Sequence, residues 1–150
     1  MRSGGTAEDQ LGIRELIELY SDACIQRDVS VIADLWVEDG YWGVLDMPEL
    51  VGRGKAEILE RWKRGQAFFP KAIVLSFPGR ISINGDNATC RTYTGEVVTA
   101  PDGKVRKALG LYDDAFRKVD GRWYFSQRIW SPLHEEGTYV HAERVADAAE

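Results

Sequence analysis

The sequence predicts an α+β fold in which three N-terminal helices pack on a strongly curved antiparallel sheet and enclose a pocket. Near residue 70 the spacing of apolar residues changes from the helical period to the strand period of two. Gly79, Gly95 and Gly110 lie inside the strand pattern, where glycine permits the bulges and bends that curl a sheet. The 150 residues, 44% of them hydrophobic, suffice for one well-buried core. We therefore expect a single domain over 1–150 with its core at about 8–134.

Two helices are expected in the first 40 residues. Apolar residues recur at helical spacing from Leu11 to Cys24 and predict a first helix that ends near Gln26. Asp28 then precedes a second short helical pattern, which Gly40 is expected to end. Because an N-cap is what this position requires, we interpret Asp28 as a cap rather than as a catalytic base.

A short strand at 41–46 and a third helix are expected before the main sheet. The turn Gly52-Arg53-Gly54 leads into that helix, which Pro70 ends. Strands with turn residues between them are then expected at 72–83, 87–99, 104–118 and 122–132. This order indicates an antiparallel meander. The polar, Ala-rich tail from about residue 135 is expected to form a marginal helix or to fray.

Composition and charge argue against several kinds of partner. The net charge of -5 disfavours nucleic-acid binding, which needs clustered Lys and Arg. Residues 1–25 include the acidic side chains of Glu8, Asp9, Glu15 and Glu18 and no long apolar run, so we expect neither a secretory segment nor a membrane span, and a cytoplasmic location. Cys24 and Cys90 show no metal or redox spacing and are expected to be buried free thiols.

Several short motifs, in this order, point to a known fold family. They are Tyr20 followed by Trp36-Val37-Glu38-Asp39, the turn Gly52-Arg53-Gly54, and the closing Asp120-Gly121-Arg122-Trp123. Together they resemble the SnoaL-like branch of the nuclear transport factor 2-like (NTF2-like) superfamily over residues 8–134. The resemblance implies a cone-shaped α+β fold. It does not fix a function, because members include ketosteroid isomerases, dehydratases, a dehydrochlorinase, epoxide hydrolases, polyketide cyclases and non-catalytic domains.

Strand alternation brings an acid and a cation to facing strands. Asp114 shares a strand face with Tyr112 and Phe116, and Arg128 shares the face of the next strand with Ser126 and Trp130. If both faces are concave, the two side chains lie in one cavity. An apolar setting would keep the Asp114 carboxyl protonated as a hydrogen-bond donor. The alternative is a plain ion pair between Asp114 and Arg128.

The resemblance to ketosteroid isomerases implies an oxyanion hole. Tyr20 and Asp114 match the tyrosine and the neutral aspartic acid that form it in those enzymes. At the position of their catalytic base this sequence has Val44, and Asp46 two residues later is a displaced candidate on the same face. The alternatives are a core tyrosine at Tyr20 and a plain loop carboxylate at Asp46.

The dehydratase and dehydrochlorinase members use an Asp–His dyad that this sequence lacks. Ile25 stands at the aspartate position, and residues 66–78 contain no histidine. Arg128 resembles the arginine with which those enzymes hold an oxyanion or leaving group. His134 is a candidate acid or base at the pocket mouth, or else a solvated tail residue, and with His141 it shows no zinc spacing.

The leading hypothesis is a cofactor-independent lyase or isomerase that acts on a small hydrophobic cyclic or aromatic compound. The expected pocket walls are Trp42, Trp62, Phe69, Tyr112, Phe116 and Trp130. Without a phosphate loop or dinucleotide motif, we expect no organic cofactor and no metal. The alternatives are a non-catalytic small-molecule-binding or dimerisation module, and a polyketide cyclase-like enzyme.

A homodimer is also expected from the resemblance. The residues assigned to the outer face of the sheet are Leu109, Leu111, Phe125 and Ile129. The alternative is that the face assignment is reversed and these residues pack under the helices.

Overall fold

The computed structural model describes residues 4–137 as three helices packed on one side of a six-stranded sheet. The helices are α1 (Ala7–Gln26), α2 (Val29–Asp34) and α3 (Lys55–Phe68). The strands are β1 (Trp36–Val44), β2 (Met47–Arg53), β3 (Lys71–Asn84), β4 (Asn87–Thr99), β5 (Val105–Val119) and β6 (Arg122–Glu136). The Ala-rich tail beyond this range and His141 lie outside the described residues.

Helix α1 begins with a reciprocal cap and buries one stripe against the sheet. The Thr6 hydroxyl accepts from the Asp9 backbone N–H, while the Asp9 carboxylate accepts from Thr6. The same carboxylate accepts from Lys118 Nζ at 2.9 Å and from Trp123 Nε1 at 3.0 Å, so it joins the helix to the last hairpin. Arg27, in the left-handed region, ends the helix at the predicted place.

The second helix is shorter than expected. Asp28 caps it as predicted, with its Oδ1 accepting from the N–H groups of Ser30 and Val31. The expected end at Gly40 is wrong, because the helix ends at Asp34 and a strand begins two residues later. The buried residues Trp36 and Val37 belong to β1, which pairs with β2 on one side and β6 on the other. Pairing with these strands therefore overrides the helical pattern of the sequence.

Strand β2 was not predicted. It contains Pro48, which cannot donate to a ladder, and a turn motif close to its end. Both features are compatible with a strand at the edge of a sheet, and β2 is at the edge in the order β2-β1-β6-β5-β4-β3.

The sheet is curved, open and mostly antiparallel. The meander β3 to β6 is antiparallel as predicted, but β1 pairs with β6 in parallel, which corrects the fully antiparallel expectation. A parallel neighbour is possible because the connection from β1 to β6 contains β2, α3 and β3 to β5, which is long enough to bring the chain back in the same direction. Among the described residues, no helix is long and apolar enough to cross a membrane.

A bulge in β6 changes which side chains face inward. Phe116 pairs with Phe125, whereas Ala115 pairs with Gln127, so Ser126 is an extra residue without a partner of its own. Phe125 is consequently 0% exposed and belongs to the core, so its assignment to the outer face is wrong. Beyond the bulge, Arg128 and Trp130 face inward as expected.

Candidate functional site

A cavity of about 190 Å³ lies between the helices and the concave face of the sheet. Three of the six expected wall residues line it, namely Trp42, Trp62 and Phe69, together with the candidate donor Tyr20. Aliphatic side chains complete most of the wall: Leu50, Ile58, Ala72, Val74 and Val98. The cavity is therefore mainly apolar, as small-molecule sites generally are.

The other three expected wall residues lie in the protein core. Tyr112, Phe116 and Trp130 are at most 7% exposed and do not line this cavity. Tyr112 still contacts the wall, because Trp42 Nε1 donates to its hydroxyl at 3.4 Å. Trp130 donates to the Thr94 hydroxyl at 3.2 Å and fills space that a side chain on Gly110 would occupy.

Glu96 is the one carboxylate among the described residues that line the cavity. Its side chain is 13% exposed, and Thr94 Oγ1 donates to it at 3.3 Å. Burial raises the pKa of Glu96, against the opposing effect of the nearby Arg106 guanidinium. The group therefore binds a proton more readily than a solvated glutamate, which suits general acid–base chemistry.

The sequence-based prediction did not include Glu96, although the alternation contained a signal for it. Thr92, Thr94 and Glu96 follow Cys90 at a period of two, and all four face inward. A lone carboxylate on the inward face of a strand is unusual and could have been selected on that ground.

Arg106 lies between Glu96 and the more exposed carboxylate of Glu135. It lines the cavity, is 3% exposed, and places Nη1 3.7 Å from Glu96 and Nη2 2.7 Å from Glu135. Its guanidinium also lies over the Trp130 ring, 5.3 Å from the centroid. The closer partner is thus Glu135, which is partly exposed, so Glu96 has only a longer ion pair with Arg106.

Tyr20 presents its phenol to the cavity from α1. The residue is 6% exposed, and burial raises its pKa well above the ordinary value, with a further contribution from Tyr112. The hydroxyl is therefore neutral at physiological pH and able to donate a hydrogen bond. The ring edge contacts Tyr112 and Phe125 at centroid distances of 6.4 and 5.6 Å.

Asp114 and Arg128 form a buried pair behind Tyr20. Arg128 Nε and Nη2 donate to the two carboxylate oxygens at 2.7 and 3.0 Å, and Thr92 Oγ1 donates to Asp114 at 2.6 Å. Burial raises the pKa of Asp114, while Arg128 and Thr92 oppose that shift. Burial also works against the charged form of Arg128, but Asp114 and the tyrosines outweigh it and raise its pKa. The two-bonded geometry favours an ionised pair.

Aromatic rings separate this pair from the cavity. The Arg128 guanidinium lies 4.3 Å from the Tyr20 centroid, 3.9 Å from that of Tyr112 and 4.4 Å from that of Phe125. Both charged side chains have 0% exposure, and neither lines the cavity. The structure therefore brings Tyr20, Asp114 and Arg128 together, but only Tyr20 reaches the cavity surface.

The two other candidate bases lie outside the cavity. Asp46 is exposed in the turn between β1 and β2, with a φ of 60°. His134 is exposed near the end of β6, and its Nε2 is 3.1 Å from Glu136.

The thiols of the two cysteines are free and buried. Cys24 lines the cavity and accepts from Trp62 Nε1 at 3.5 Å, and burial raises its pKa to about 11. It is therefore a neutral thiol rather than a nucleophilic thiolate. Within residues 4–137, no group of three or more His, Cys, Asp or Glu side chains is arranged to hold a metal ion.

The sequence pattern of the SnoaL-like domain matches residues 5–129. The chain belongs to the SnoaL-like domain family. This membership agrees with the curved sheet and the helices on its concave side, so both the resemblance and the NTF2-like α+β fold inferred from the sequence are confirmed.

Solved structures with this SnoaL-like fold include several enzymes. A provisionally named aromatic ring hydroxylase from Novosphingobium aromaticivorans is 22% identical, with a TM-score of 0.81 over 93% of this chain and 99% of its own. A type 2 hexachlorocyclohexane dehydrochlorinase, LinA, is 14% identical, with a TM-score of 0.80 over 89% and 92%. A provisionally named scytalone dehydratase from N. aromaticivorans is 19% identical, with a TM-score of 0.79 over 88% and 89%. At these identities the likeness establishes the fold.

No curated protein matches this SnoaL-like chain significantly. Its own activity must therefore be inferred from the cavity and the residues around it.

Proposed function

We propose that this protein is a cofactor-independent lyase or isomerase that moves a proton on a small hydrophobic cyclic or aromatic compound bound in the cavity. The observation that carries the proposal is Glu96, a largely buried carboxylate facing a mainly apolar cavity of about 190 Å³. The family supports it, since structural relatives include proteins named as a dehydratase and a dehydrochlorinase.

In this proposal the Glu96 carboxylate removes a proton from a carbon next to a carbonyl or next to the carbon that bears a leaving group. In an elimination, the C–H electron pair becomes the new double bond, and the leaving group departs with its own electron pair. In an isomerisation, the same carboxyl returns the proton to another carbon. A carboxyl with a raised pKa is a better proton carrier at neutral pH than a solvated one.

Tyr20 is the proposed donor to the oxygen on which negative charge develops. It is neutral, buried and on the cavity surface. Arg106 is proposed as a positioning residue for Glu96, because both side chains line the cavity and Arg106 Nη1 lies 3.7 Å from the carboxylate. Asp114 and Arg128 are proposed as positioning residues, which act on Tyr20 through the Arg128 guanidinium at 4.3 Å from its ring. Asp46 and His134 have no role in this mechanism because both lie outside the cavity.

The test is deuterium incorporation from D₂O into cyclic enones, cyclic β-hydroxy ketones and aryl ketones, followed by mass spectrometry. We expect exchange or product with the wild type and a loss of at least 100-fold in Glu96→Gln, which keeps the side-chain volume. Glu60→Gln, an exposed glutamate on α3, is the matched control and should be unaffected. Equal rates for Glu96→Gln and the wild type would exclude Glu96 as the proton carrier.

A non-catalytic ligand-binding module is the second candidate. It is favoured by the ion pairing of Arg106 with Glu96 and of Arg128 with Asp114, which gives each carboxylate a structural partner. If no compound of the panel shows deuterium exchange or product, although compounds of the panel bind, this alternative is favoured. No observation favours the polyketide cyclase.

We further propose a homodimer or higher homo-oligomer formed through the outer face of the sheet. Phe77 and Tyr93, paired across β3 and β4, are 59% and 42% exposed, and Leu75 and Leu109 flank them at 50% and 55%. A contiguous apolar face of this kind favours association. We expect sedimentation velocity to show an oligomer that Phe77→Lys dissociates, while Ser82→Lys on the same strand and face does not. A monomeric wild type would refute this.

A cytoplasmic location is also proposed. It is supported by the two free thiols, because reducing compartments keep cysteines unpaired.

A further inference from the structure

The size of the cavity limits its ligand. A dry engineered cavity of about 150 Å³ accommodates benzene. The cavity here is about 190 Å³, which leaves room for one ring and a small substituent. We infer that the ligand of this cavity is a neutral compound with a single six-membered ring and one or two small polar substituents. The inference concerns the cavity of the proposed active site and narrows the substrate class given there.

The walls have little freedom to enlarge the cavity. Trp62 Nε1 is engaged with Cys24 at 3.5 Å, and Trp42 Nε1 with Tyr112 at 3.4 Å, so both indoles are held by buried partners. Tyr20 is likewise packed edge-on against two rings. To lie within the cavity, a fused second ring would have to displace at least one of these side chains from its partner.

The charges around the cavity favour a neutral ligand. Of the two arginines that line it, Arg106 is paired with Glu96 and Glu135, and Arg61 Nε donates to the Val51 carbonyl. A carboxylate ligand would have to compete with these partners and would also face Glu96. A carbonyl oxygen can accept from the Tyr20 hydroxyl, and a hydroxyl group can also donate to Glu96, without breaking either of these arginine pairs.

The experiment is isothermal titration calorimetry of phenol, 2-naphthol and benzoate against the full-length wild type and Glu96→Gln at pH 7. In an unrestricted apolar groove 2-naphthol would bind more tightly than phenol, because it buries more apolar area. We expect the reverse, with dissociation constants at least tenfold higher for 2-naphthol and for benzoate. Equal or tighter binding of 2-naphthol would overturn the size limit, and equal or tighter binding of benzoate would overturn the neutral class. Failure of phenol to bind would overturn both.

Two substitutions test whether phenol binds in this cavity. Gly65 lines the cavity from α3, and a Cβ there would meet open space, so Gly65→Leu should fill the cavity without unfolding the helix. Ala67→Leu, at an exposed position two residues later, is the matched control. We expect Gly65→Leu to weaken phenol binding at least tenfold and Ala67→Leu to leave it unchanged. If Gly65→Leu misfolds, Ala72→Leu on β3 tests the same cavity from the opposite wall. Unchanged binding in the folded cavity variant would overturn the assignment.

These results are independent of the test of proton transfer. Phenol selectivity that persists in Glu96→Gln, with no catalysis found in the wild type, would support the ligand class and refute the proposed function. Catalysis that depends on Glu96, together with tight binding of 2-naphthol, would support the function and refute the ligand class.

Discussion

Replacing Asp114 with Asn should destabilise the protein strongly, whatever its effect on activity. The substitution leaves Arg128 charged, fully buried and without its two carboxylate bonds of 2.7 and 3.0 Å. Removing one partner of a buried ion pair costs about 3–5 kcal/mol. Asn keeps the volume and one acceptor for the guanidinium, so we expect the lower end, about 3 kcal/mol. Total stabilities are about 5–15 kcal/mol, so the loss is a large fraction.

Urea denaturation followed by tryptophan fluorescence measures this loss. For a chain of this length, about 3 kcal/mol corresponds to a fall of roughly 6–12 °C in the melting temperature. The matched control is Asp113→Asn, which removes an exposed carboxylate from the opposite face of β5 and should change stability by less than about 0.5 kcal/mol. A loss below about 1 kcal/mol in Asp114→Asn would refute the reasoning, because Arg128 would then have to be satisfied by the surrounding rings alone.

The double variant Asp114→Asn, Arg128→Met extends the test. Removing both charges avoids an unpaired buried ion. The double variant should therefore lose less stability than the sum of the losses in Asp114→Asn and Arg128→Met. Strict additivity of the two single losses would indicate that the pair is not coupled.

Two further predictions follow from other ion pairs. Glu135→Gln removes the closer partner of Arg106, so the guanidinium should turn to Glu96 and lower the pKa of that carboxyl. The acid limb of the pH profile of kcat/KM should then move to lower pH. An acid limb that does not move would contradict the idea that Arg106 is shared between the two glutamates. Asp9 has a pKa lowered chiefly by its hydrogen bond from Lys118, so it stabilises the folded state above about pH 4, and this contribution is lost as pH falls further. The melting temperature of Asp9→Asn should therefore lie below that of the wild type at pH 7, with a smaller difference at pH 3, and an equal difference at both pH values would argue against the linkage.

Much of the fold was predictable because long periodic segments dominate it. The capping residue Asp28, the end of α1 and the four meander strands all follow from local pattern. The errors occur where a local pattern competes with pairing between distant strands. Trp36 and Val37 fit a helical stripe as well as a strand, and only their partners in the sheet decide between the two.

The site was harder to predict because a side chain that points inward from a strand does not necessarily reach the cavity. Asp114 and Arg128 were placed correctly on inward faces, but one extra residue, Ser126, separates two registers of β6, and no alternation rule locates such a bulge. The depth of each inward residue depends on how the sheet curves beneath the helices. This depth decides whether a carboxylate lies in the core or in the wall of a cavity. The alternation of the sequence predicts only the direction in which the side chain points.

Two carboxylate–arginine pairs occur on the inward side of the sheet, one between β4 and β5 and the other between β5 and β6, and their difference argues for Glu96 as the reactive group. Asp114 has 0% side-chain exposure and three hydrogen bonds from Arg128 and Thr92, so proton exchange would require it to break a saturated network. Glu96 keeps 13% exposure, a single hydroxyl donor at 3.3 Å and an arginine 3.7 Å away whose nearer partner is Glu135. Proton transfer needs access to the substrate and a carboxyl whose two protonation states are close in energy. Glu96 lines the cavity, and burial raises its pKa, whereas Asp114 is suited to keep Arg128, and through it the ring of Tyr20, in place.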